Sequence, residues 1–162
     1  MPKYEDFKSE GSLTVVDRIG DDIDQLAAIA KKVYDSGKLN KIGLDPLGLG
    51  GLLDGLLEAG IPEESMFAVP QGYKLMSYIL TTERKLAEGN LHHAGQQLMT
   101  WAAGNARVVM VGNGMRITKQ ESGVGKIDPL IATFNAVALM SSNPEPANRV
   151  DIDEYLEDVV IA

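Results

Sequence analysis

Gly125-Lys-Ile-Asp-Pro-Leu-Ile-Ala-Thr-Phe-Asn-Ala-Val-Ala-Leu-Met-Ser-Ser142 is the stretch that decides the fold. Asp128 stands just ahead of a long apolar run, and Pro129 suits the first helical position, where a missing N–H costs little and the fixed φ is already helical. The sequence thus predicts a helix over 128–142, apolar nearly all round and therefore buried, with a carboxylate fixed at its N-terminus. An ordinary N-cap accounts for such an aspartate. Yet Lys41-Ile-Gly-Leu-Asp45-Pro46-Leu47 repeats the same grammar, an apolar run delivering Asp-Pro to the mouth of the next helix. Two acids delivered to element ends can share a hard divalent cation, Mg²⁺ or Mn²⁺, through their oxygens.

Working outward from these two points, the chain alternates short strands with helices. The pattern predicts a turn or short helix within residues 1–11, a strand over 12–16, a helix over 21–36 and a strand over 40–44. A Leu- and Gly-rich helix over 47–59, a strand over 66–69 and a helix over 71–88 come next. Beyond them lie a helix over 96–103 carrying Trp101, a hairpin of 106–111 with 115–119 around Gly112-Asn-Gly114, and the helix of the opening. Such alternation is α/β, with one sheet covered by helices on both faces. The domain spans 1–142, and 143–162 is an acidic tail in which Asn143-Pro-Glu-Pro breaks structure.

Composition removes several classes. With 162 residues and 44% hydrophobic content the chain suits one folded domain. It has no cysteine, which excludes disulfides, thiolate metal sites and cysteine nucleophiles. No signal-like N-terminus and no membrane-length apolar run is present, so a cytoplasmic protein is expected. A net charge of −8 argues against a protein that coats nucleic acid. It is compatible with a metal-dependent nuclease, whose acidic cluster is inverted in sign by the bound ion. Gly48-Leu-Gly50-Gly51 lacks the third glycine of a dinucleotide loop, and Gly123-Val-Gly125-Lys126 lacks the hydroxyl and spacing of a Walker A loop. Close packing of the glycine-rich helix on the sheet is the better account of Gly48, Gly50 and Gly51.

His92 and His93 are adjacent, and on a helix or strand they would point apart, which disfavours a two-histidine metal site. Trp101 reads as core, Asp21, Asp22 and Asp24 as charges complementing a helix start, and the acids after Asp151 as a solvated tail. Lys119 and Lys126 flank the second acid, and Arg107 and Arg116 lie on the hairpin. All four are cations for phosphate or plain surface charges.

The order of features resembles the C-terminal nuclease domain of phage terminase large subunits. The features are Glu10-Gly11-Ser-Leu, Leu44-Asp45-Pro46 before a Leu/Gly helix, Glu88-Gly-Asn-Leu-His and His93-Ala-Gly95 leading into Leu98 and Trp101. Asn105, Lys119 and Lys126-Ile127-Asp128 before an Ala-rich helix complete the set, which covers about 4–142. The resemblance implies a ribonuclease H-like fold in which Asp45 and Asp128 are metal-binding, catalytic acids; on the reading of the residues themselves, His93, Lys119 and Lys126 are the candidates to contact DNA, with structural hydrogen bonding the alternative for His93. The resemblance further implies two-metal cleavage of duplex DNA during packaging, the ions roughly 4 Å apart, with the terminase small subunit and the portal protein as partners of the parent protein. The family's first acid lies on a strand for which there is no room before Tyr4, and no ATPase motif is present. The expectation is therefore an N-terminally truncated domain that binds metal weakly, cuts poorly, and self-associates through the exposed strand edge at 40–44. A non-catalytic interaction module or prophage remnant, in which both aspartates only cap helices, and another ribonuclease H-like enzyme such as a junction resolvase are the alternatives.

Overall fold

The computed structural model describes residues 4–119 and 125–145. Their elements are α1 (Tyr4–Ser9), α2 (Asp21–Asp35), β1 (Ile42–Leu44), α3 (Gly50–Glu58), β2 (Met66–Ala68), α4 (Met76–Ala87), α5 (Gln97–Gly104), β3 (Ala106–Val111), β4 (Gly114–Lys119) and α6 (Asp128–Met140). Single 3₁₀ turns at Glu63–Ser65 and Gly72–Leu75 precede β2 and α4. The strands do not join in one sheet among the described residues. β1 and β2 form a parallel pair, Ile42 opposite Met66 and Leu44 opposite Ala68, while β3 and β4 form an antiparallel hairpin. The fold is thus mixed α/β with two small sheets, in place of the single sheet covered on both faces that the alternation predicted.

Two cores hold these pieces. In the first, Ala27 of α2, Leu44 of β1, Leu56 of α3 and Ile61 pack together. Gly51 and Gly55 lie one turn apart on α3, and a Cβ built on them would stand 3.0 and 2.6 Å from Ile23 of α2. The glycines therefore admit a neighbouring helix at close range, and not the sheet as expected. In the second core Val69, Leu75 and Ile79 close on Phe134 of α6, with Met115 and Ile117 of β4 against them. Separately, Phe7 is fully buried and sets its ring at a tilt against Trp101, which Tyr4 meets edge-on, so the tryptophan is a packing residue as its sequence context suggested.

β1 meets α6 at Gly43. A Cβ there would lie 3.1 Å from both Leu139 Cδ1 and Val69 Cγ2 and 3.3 Å from the Asn135 carbonyl. Asn135 is itself buried on α6, and its Oδ1 accepts a hydrogen bond of 3.0 Å from the Gln71 side-chain amide, which also donates to the Val69 carbonyl. This bond satisfies a polar group whose desolvation would otherwise be costly.

Two further expectations are corrected, and a third falls largely on residues that are not described. Residues 12–16 form no strand: Val15 is 55% exposed, and an apolar run without a partner strand has no ladder to join. α6 is buried on one face only, through Phe134, Asn135 and Val137, while Ala132, Ala136 and Met140 are exposed. The acidic tail at 143–162 lies outside the described residues from 146 onward. Otherwise the helices stand within a few residues of their predicted places, and the hairpin turns at Gly112-Asn113, with Gly112 at φ 59° as a two-residue turn with glycine first requires. Among the described residues no helix is long and apolar enough to cross a membrane.

Overpacking a tight helix crossing costs about 1–3 kcal/mol, whereas alanine in open helical space is neutral or gains less than about 1 kcal/mol over glycine. Chemical denaturation should accordingly show Gly55→Ala and Gly43→Ala destabilised and Gly50→Ala, which has nothing within 4 Å of its Cβ position, unaffected or slightly more stable.

Candidate functional site

Asp45 directly follows β1, and its Oδ1 accepts the Leu47 N–H at 2.9 Å. That bond makes an Asx turn around Pro46, whose fixed φ takes the chain away from the strand toward α3. One carboxylate oxygen fixes the turn, and the other makes no hydrogen bond among the described residues. Asp128 is the first residue of α6, one place inside the N-cap Ile127, with Pro129 next. Its carboxylate is exposed and accepts no hydrogen bond among the described residues. It complements the positive end of the helix dipole without capping a backbone N–H, so capping does not account for it.

The relation between the two acids follows from the packing of β1 on α6. Asn40, ahead of the strand, donates to the carbonyl of Glu145, beyond the helix end, and Gly43 sits against Asn135 and Leu139 in the helix interior. Advancing along β1 therefore moves back along α6. The carboxyl end of the strand, which carries Asp45, and the amino end of the helix, which carries Asp128, lie toward the same side of this layer. Among the described residues no group of three or more His, Asp or Glu side chains is placed to hold a metal ion.

Asn105, the C-cap of α5, has a positioning role that the sequence did not reveal. Its side-chain amide donates to the Lys126 carbonyl at 3.1 Å, and a Cβ on Gly125 would lie 2.7 Å from Asn105 Cγ. Gly125 is bare so that the backbone leading into Asp128 can be clamped from α5. The bond joins residues 21 apart in the chain, and nothing in the local sequence distinguishes Asn105 from an ordinary helix-ending asparagine.

The remaining candidates surround α6 at different points. Lys126 is exposed two residues before Asp128, and Lys119 ends β4, also exposed. Arg107 and Arg116 are exposed on the hairpin. His93 Nδ1 accepts the Gly95 N–H at 3.1 Å, which leaves the Nε2 position as the proton donor of the neutral ring. His92 and His93 both border one cavity of about 410 Å³ between α4, α5 and α6, because residues 90–96 are irregular and do not impose the alternation of a strand. The hydroxyls on its walls, from Thr82, Thr100 and Thr133, each bond a carbonyl of their own helix, so the cavity is essentially apolar. Where the preceding loop begins, Arg84 bonds Glu88 at 2.7 Å. This hydrogen bond first, then the charge attraction, holds the Glu88 carboxyl below its usual range. Any stabilisation from the pair is present above the ordinary glutamate pKa and is lost as the pH falls.

Comparison with known proteins gives a consistent picture. The family described as "Terminase large subunit, endonuclease domain" matches residues 2–143. The terminase large subunit of Lactococcus phage p2 is 32% identical over 109 residues, covering 65% of this chain and 20% of the relative. The terminase large subunit of Lactococcus phage SK1 is 31% identical over 109 residues, with the same coverage of 65% and 20%. The chain thus spans about a fifth of the length of the curated relatives it matches. No solved structure matches.

Losing the Asn105 bond removes about 1 kcal/mol and frees the approach to α6. Hydrogen exchange should therefore speed up at residues 126–130 in Asn105→Ala, whereas Lys126→Ala, which keeps the bonded carbonyl, should leave exchange there unchanged.

Proposed function

Since the chain belongs to the endonuclease-domain family of terminase large subunits, we propose that Asp45 and Asp128 together hold a divalent cation, Mg²⁺ or Mn²⁺, in a domain that cuts duplex DNA for packaging. The observation that carries this reading is the antiparallel packing of β1 on α6, which turns both carboxylates' ends of these elements to one side. The donor set fits the ion: carboxylate oxygens are the ligands hard cations take, and water or phosphate oxygens complete the sphere. A bound cation of this kind supplies Lewis-acid activation of water and neutralises charge on phosphate; a second ion belongs to the complete two-metal centre in this reading.

The chain's own groups divide the remaining work. Asp45 is held by its turn, and the clamp on residues 125–126 places the backbone that leads into Asp128, so one carboxylate and the main chain carrying the other are positioned before any ligand arrives. Lys126 beside Asp128 and Lys119 at the end of β4 offset phosphate charge in a chain that is acidic overall, and the His93 Nε2–H donates to a phosphate oxygen. In this reading the parallel β1–β2 pair with α6 against it belongs to a ribonuclease H-like layer. The small subunit and the portal protein are the partners it assigns to the whole polypeptide.

Two carboxylates give a weak site, with a dissociation constant of about 10⁻³ M, the low end for oxygen-ligand sites of small charge. Titrating the ¹⁵N-labelled chain with Mn²⁺ should broaden resonances of residues 44–47 and 126–130 first. Asp45→Asn keeps the acceptor for Leu47 N–H, and Asp128→Asn disturbs no side-chain hydrogen bond among the described residues. Each should abolish the broadening, and with it any Mn²⁺-dependent plasmid nicking, at unchanged melting temperature. Broadening centred instead on Asp21, Asp22 and Asp24, or surviving in both variants, would identify a non-catalytic module in which Asp45 only shapes its turn.

A further inference from the structure

Charge is unevenly placed along this chain. It has 23 acids, yet from Gly89 to Gln120 there is none, while Arg107, Arg116 and Lys119 all fall within that stretch. The stretch is therefore net +3 in a chain of net −8. All three cations belong to the β3–β4 hairpin, which is thus a basic element of an acidic protein.

The register of the hairpin puts the two arginines on one face. Met115 and Ile117 of β4 pack against the second core, so Arg116 between them turns outward. Val108 and Met110 stand opposite Ile117 and Met115, which leaves Arg107 on the outward face with Arg116. Arg116 is opposite Val109 and Arg107 opposite Thr118, so the arginines are diagonal neighbours across the ladder, about 7–8 Å apart at the backbone. Both are exposed, and among the described residues neither takes part in an ion pair. Lys119 falls on the other face by the same alternation and is not part of the pair. Like charges at this separation repel each other, so the arrangement slightly opposes folding, and a bound anion relieves it.

On the reading of the chain as a DNA-cutting domain, we infer that Arg107 and Arg116 grip neighbouring phosphates of one strand of duplex DNA across the outward face of the hairpin, without help from a metal. The guanidinium suits this task, because its planar fork donates two parallel N–H bonds to phosphate oxygens. The other outward groups are Val109, Val111 and Thr118, compact and uncharged, so a DNA backbone can lie close. Such contacts fix where the duplex lies and leave its sequence unread. They supply locally the attraction for phosphate that the net charge of the whole chain opposes.

Fluorescence anisotropy of a labelled mixed-sequence duplex with the full chain, in EDTA and at several salt concentrations, tests this. Because no metal is present, failure of the Mn²⁺ titration and failure of the hairpin grip are separate results. Each phosphate contact adds about 0.9 to the slope of log K against log salt. Arg107→Gln and Arg116→Gln should each lower the slope by about 0.9, weakening binding several-fold at low salt and equally for unrelated sequences. Lys32→Gln, which removes the same charge from the exposed side of α2, should leave the slope unchanged. Equal losses in all three variants would mean that overall charge alone matters. Unchanged slopes in both arginine variants, or no binding by the wild-type chain at low salt, would mean that the hairpin grips no DNA. Displacement of the duplex by polyglutamate at matched charge would make an acidic protein the ligand. Any of these overturns the inference. A measurement on the unaltered chain guards against misfolded variants: adding the duplex should shift the Nε–H signals of Arg107 and Arg116 first, and shifts confined to the other arginines also overturn it.

Discussion

The close approach of β1 to α6 at Gly43 is the constraint on which the remaining geometry depends. With hydrogen in place of a side chain, the strand comes within reach of Leu139, Val69 and the Asn135 carbonyl. The buried Asn135 amide then ties α6 to the loop after β2 through Gln71. Strand pair, loop and helix therefore lock as one unit, and the direction in which the strand crosses the helix is fixed. A helix running the other way would send Asp45 and Asp128 to opposite ends of the layer. The positions of both acids are a consequence of how a glycine lets two backbones meet.

A second layer of control acts on each acid separately. Asp45 spends one oxygen on the Leu47 N–H, so its orientation is set by the turn that Pro46 begins. The Asp128 carboxylate makes no hydrogen bond among the described residues, and its place depends on the Asn105 clamp at the preceding backbone and on the helix that follows. The two carboxylates are held by different means, one through its own side chain and one through the main chain. Unequal effects on local order are therefore expected when either support is removed.

Much of this was legible in the residues. α2 and α4 carry apolar positions at helical spacing, Gly-Asn-Gly marks the hairpin, and the two Asp-Pro pairs locate the element ends that carry the acids. What was not legible depends on partners remote in the chain. The β-branched run at 12–16 has strand composition but, among the described residues, no strand beside it. The apolar surface of α6 is wider than the core it covers, since its outer face borders a groove. Gly51 read as room for a sheet, and the neighbour there, as at Gly55, is Ile23 of another helix. Asn105 and Gln71 find their partners 21 and 64 residues away, distances over which local sequence carries no signal.

The family membership gives the pair of acids a chemical context, and the packing gives them a common side; the claim that joins the two is that they share an ion. Anomalous diffraction from a crystal soaked in millimolar MnCl₂ measures this most directly. The account predicts a peak bound by Asp45 and Asp128 together, each oxygen at about 2.1 Å. Carboxylates further apart than about 8 Å, too far for one close metal pair with such bond lengths, and no manganese between them would contradict it.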